Sequence, residues 1–92
     1  MHTDEYEISI AREVKHCEQV VEKIEKKLKQ RRQHFGCDYP EAAAAAGGHL
    51  AIDEREMARW RDDVEALPIW QQRLAEYRQA LAVMRISASR FE

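Results

Sequence analysis

From Ile10 to Phe35 the apolar residues follow a four-three alternation: Ile10, Val14, Cys17, Val21, Ile24, Leu28 and Phe35, with Arg31 as the one polar break. That spacing keeps a narrow stripe on one side of a long helix, as in coiled coils and helical bundles. A second stripe runs through Met57, Trp60, Val64, Leu67, Trp70, Leu74, Tyr77, Leu81 and Met84. Between Val64 and Trp70 two steps of three follow one another, a stammer in the heptad. Neither stripe can stay in water, so each must lie against another helix. No run alternates apolar and polar residues between turn signals, and the pattern predicts an all-α chain.

Punctuation sets the boundaries. Thr3 can cap the first helix, with Asp4, Glu5 and Glu7 at the positive end of its dipole. Gly36 fits the left-handed position that ends it, after the basic residues Arg31, Arg32 and His34. Helix one is therefore expected over about residues 3–36 and the connection over 37–52. In the connection Pro40, five alanines and Gly47–Gly48 admit a turn or two of helix or a loop. Helix two is expected over about 53–86, opened by the capping pair Asp53 and Glu56. Pro68 lies inside it, where a missing amide favours a kink over a break. Ser87–Glu92 are expected to fray.

Charge adds direction. Both helices are acidic early and basic late, so an antiparallel pair sets acid against base and a parallel pair sets like against like. The same gradients also suit each helix's own dipole, but the short connection favours a hairpin in any case. A hairpin centred on residues 44–46 brings Leu28 to Trp60, Val21 to Leu67 and Val14 to Leu74. Tyr6, Ile8, Val20, Ile69, Ala80, Val83 and Ile86 lie off the main stripe and are read as widening it. A wide apolar face suits a four-helix bundle made by two hairpins about a two-fold axis. The predicted architecture is thus one helical-hairpin domain that dimerises.

Composition bounds the chemistry. The chain has 92 residues and a formal net charge of -2, so no global field draws it to nucleic acid or anionic lipid. No apolar run reaches membrane-spanning length, and no secretory signal opens the chain, which points to the cytoplasm. His34, Cys37, Asp38, Glu41 and His49 cluster around the connection. His34, Cys37 and His49 are the candidate metal ligands, but paired ligand spacings are missing and the donor types are mixed. Cys17 occupies a stripe position and reads as a small buried hydrophobe, with His16 beside it in sequence. The basic run Lys23–Arg32 lacks interleaved aromatics, which argues against a nucleic-acid role. Asp62 and Asp63 are sequence neighbours that do not face one another on a helix, so they form no carboxylate dyad. No cofactor or catalytic set is indicated.

The expected function is non-enzymatic protein–protein interaction by a small adaptor or chaperone-like hairpin. Its partners would be a second copy or another protein's amphipathic helix. The alternative is a metal- or small-ligand-binding bundle using the loop donors or a groove near Trp70.

Overall fold

The computed structural model describes residues 2–45 and 52–90, with side chains described over 5–45 and 52–87. It is all-helical, with three helices and no strand among the described residues: α1 (His2–Phe35), α2 (Tyr39–Ala45) and α3 (Glu54–Arg90).

The helix ends follow local chemistry. Helix α1 stops where Gly36 takes φ of 73° and its amide donates to the Arg32 carbonyl at 2.8 Å. A side chain at that φ would be strained, which is why glycine stands there. At the other end α1 begins at His2, so Thr3 lies inside the first turn and not before it. Helix α2 opens from Asp38, whose carbonyl accepts the Ala42 amide at 3.1 Å, and Pro40 sits in its first turn where no amide is needed. Helix α3 is capped by Asp53. Its carboxylate accepts the Arg55 amide at 3.3 Å, and its carbonyl accepts that of Met57 at 2.9 Å.

Helix α3 continues through Pro68 unbroken and reaches Arg90, beyond the expected end at Ile86. No glycine or proline follows Ile86, so nothing in Ser87–Arg90 stops the backbone ladder, and these residues are helical. No helix among the described residues is long and apolar enough to cross a membrane.

The chain divides into two compact units, Met1–Val21 with Ile69–Glu92, and Glu22–Pro68. In the first, Val14, Cys17, Val21, Leu74 and Leu81 form the buried core. Across it Arg85 meets Glu7 at 3.2 Å and Arg78 meets Glu18 at 3.8 Å, so partners rise in number along α1 as they fall along α3. In the second unit Ile24, Ala42 and Trp60 are buried. Partners again run in opposite order: Arg31 with Asp63, then Phe35 with Trp60.

In Glu22–Pro68 the ring that meets Trp60 lies one heptad further along α1 than the residue expected opposite it. Trp60 stacks on Phe35, with ring centroids 5.3 Å apart, where Leu28 was expected. The cause is α2, which takes up the start of α3: Tyr39 packs edge-on to Trp60 at 5.8 Å. The first turns of α3 are thereby covered by α2, and α1 meets α3 further along.

Candidate interaction site

Every stripe residue anticipated to form the seam is buried or half-buried. On α1 these are Ile10, Val14, Cys17, Val21, Ile24 and Leu28; on α3 they are Met57, Trp60, Val64, Leu67, Trp70, Leu74, Tyr77, Leu81 and Met84. Cys17 is almost wholly enclosed, and burial pushes its thiol above the usual range, with Glu13 adding to the rise and Arg73 opposing it. A thiol so placed stays protonated at neutral pH and is no ready nucleophile. Both cysteines are free.

Trp60 is the anchor of Glu22–Pro68, only 2% exposed. Phe35 lies stacked on it, Tyr39 meets it edge-on, and His34 packs edge-on to Phe35 at 4.7 Å. This aromatic set forms where α1 ends and α2 begins, because Gly36 reverses the chain straight after Phe35. Beside it Arg31, the polar break in the stripe, binds Asp63 at 2.7 Å with the two side chains 16% and 18% exposed. The break is therefore a cross-helix ion pair. A lone charged residue at a seam position was the signal for such a partner, but only the alignment identifies Asp63.

The loop donors do not converge. His34 is exposed, Cys37 is half-buried, Glu41 is exposed, and Asp38 pairs with Arg32 at 3.5 Å. Among the described residues no three His, Cys, Asp or Glu side chains stand together as a metal site would require. His49, the remaining candidate ligand, lies outside the described residues. The basic run is partly offset by acids, since Arg31 and Arg32 bind Asp63 and Asp38. Trp70 is already occupied, with His16 edge-on at 5.7 Å and the Arg73 guanidinium 4.8 Å from its ring centre. A T-shaped ring contact and a cation over the ring face both suit an aromatic side chain.

No family model, curated protein or solved structure matches this chain.

Two surface features remain. One is a groove of about 500 Å³ between α2 and the start of α3, lined by Tyr39, Ala43, Ile52, Glu54, Met57, Ala58 and Arg61. Its lining is mostly apolar, with one acid and one base. It exists because α2 packs on α3, a contact that no hydrophobic period announces.

The other is an apolar surface on the unit Met1–Val21 with Ile69–Glu92. Tyr6, Ile8, Ile69, Val83 and Ile86 are each more than half exposed, Ile86 at 60%. Among the described residues every large exposed hydrophobic falls in this unit. Tyr6, about 40° round α1 from Ile10, broadens the stripe as expected, but Ile8, Val83 and Ile86 do not. At roughly 100° per residue, Ile8 lies on the far side of α1 from Ile10 and Val14. Val83 and Ile86 lie well round α3 from Leu81 and Met84 by the same period. Val20, by contrast, is half-buried.

Proposed function

We propose that this protein is a non-enzymatic interaction module: an antiparallel helical hairpin that pairs with a second copy as a four-helix bundle. In that form it would act as a small adaptor or chaperone-like element. The observation that carries the reading is the confinement of Tyr6, Ile8, Ile69, Val83 and Ile86 to one unit, all more than half exposed. In Glu22–Pro68 a third helix and an aromatic cluster cover the paired stripes. Among the described residues the other unit has no such cover, and a second copy would cover the side of α3 that Ile69, Val83 and Ile86 share. Large apolar residues grouped on one part of a small surface mark association sites more often than scattered ones do.

The opposed order of contact partners within each unit supports the hairpin, and so do the acid-to-base pairs Glu7–Arg85 and Glu18–Arg78. Exposed pairs of this kind add little stability, but they penalise the parallel arrangement.

Sedimentation equilibrium tests the reading. The wild-type chain is expected at twice its mass of 10.8 kDa, and Val83→Asp/Ile86→Asp at the monomer mass with helicity retained. A wild type that stays monomeric at every concentration refutes the proposal. So does a double variant that still dimerises.

A further inference from the structure

We propose that the second copy lies antiparallel along the outer side of α3, with Ile69 of each chain against Ile86 of the other. This rests on the dimer proposed above and specifies how its copies meet. Ile69, Gln72, Glu76, Gln79, Val83 and Ile86 follow a three-four alternation of their own, and all six are exposed. Val83 stands about 180° round α3 from the buried Leu74, so this second stripe lies on the side of the helix away from its core. Heptad spacing on the solvent side gives α3 a second face suited to another helix. Ala75, Ala80, Ala82 and Ser87 flank that face, all exposed, and small flanking side chains let two helix axes approach closely.

The stripe is apolar towards its ends and polar at its centre, and its one charge is Glu76. Parallel pairing in register would set Glu76 against its own copy, and like charges so opposed are penalised. Antiparallel pairing about a two-fold axis between residues 77 and 78 opposes Ile69 to Ile86, Gln72 to Val83 and Glu76 to Gln79, each contact occurring twice. Within the chain Gln72 Nε2 donates to Glu76 Oε1 at 3.1 Å, so the carboxylate already serves as an acceptor on this side of the helix. The Gln79 amide of the second copy adds a donor to it, since one carboxylate accepts several hydrogen bonds. A slide of one heptad takes Ile69, or else Val83 and Ile86, off the other copy's stripe.

Cross-linking with a short bismaleimide reads the arrangement in full-length chains, in a Cys17→Ala/Cys37→Ser background. Ile69→Cys chains mixed with Ile86→Cys chains are expected to join at least about tenfold faster than either joins to itself. Like positions lie about 25 Å apart in this arrangement, the rise along α3 from Ile69 to Ile86. Gln79→Lys is expected to tighten the dimer several-fold in sedimentation, because each introduced ammonium faces Glu76 of the other copy. Circular dichroism establishes that each variant keeps its helices. Faster joining of like positions, or a dimer weakened by Gln79→Lys, overturns the antiparallel arrangement and leaves the dimer itself standing. A dimer in sedimentation whose mixed chains do not join overturns it as well. A chain that sediments as a monomer removes the dimer and this arrangement with it, so the two failures are told apart.

Discussion

Trp60→Ala is expected to cost about 3–5 kcal/mol of folding stability, the range for truncating a large buried aromatic. Trp60 is 2% exposed and touches both Phe35 and Tyr39, so its loss leaves a void bordered by two other elements. A small domain has about 5–15 kcal/mol to lose, so the variant is expected to give up between about a fifth and all of its stability. Urea unfolding followed by circular dichroism gives the number. Trp60→Phe should lose much less, since a ring still stacks on Phe35. A cost below about 1 kcal/mol for Trp60→Ala would mean that the aromatic set does not anchor this unit.

Arg31→Ala is the second large effect. It strands Asp63, 18% exposed, without its cation, and about 1.5–3 kcal/mol is expected for losing a charge-assisted bond of this kind. Arg85→Ala gives the comparison. Its pair with Glu7 joins side chains 63% and 34% exposed, and such pairs contribute only about 0–1 kcal/mol. Replacing both members of the seam pair, as Arg31→Met/Asp63→Leu, should restore or exceed wild-type stability, because an apolar pair avoids desolvating two charges. Equal costs for Arg31→Ala and Arg85→Ala in urea unfolding would show that burial gives the seam pair no special weight.

Much of the helical framework could be read from residues, for identifiable reasons. Gly36 and Asp53 are local signals whose physics needs no tertiary context, and both act at the helix ends as anticipated. The stripe residues were legible because a four-three period admits one buried side. The alignment was not legible, since that same period repeats: Leu28 and Phe35 are equivalent to Trp60 until α2 breaks the tie. Asp63 was hidden for the same reason, being recognisable as Arg31's partner only once the alignment is known. Helix α2 was half visible, because Pro40 and the alanines permit a helix but only packing on Trp60 favours one. The exposed set, Tyr6, Ile8, Ile69, Val83 and Ile86, is legible as apolar and as grouped towards the start of α1 and the end of α3; Tyr6 flanks the stripe, whereas Ile8, Val83 and Ile86 leave it. Distance from the stripe in sequence is a poor guide to angle on a helix.

The most direct test is a nuclear Overhauser measurement on the Trp60 ring, made on uniformly labelled protein and on a mixture of labelled and unlabelled chains. Cross-peaks to the Phe35 and Tyr39 rings, arising within one chain, are the expected result. Cross-peaks to the Leu28 methyls in their place, or ring contacts seen only between chains, would contradict a chain folded back on itself in this register.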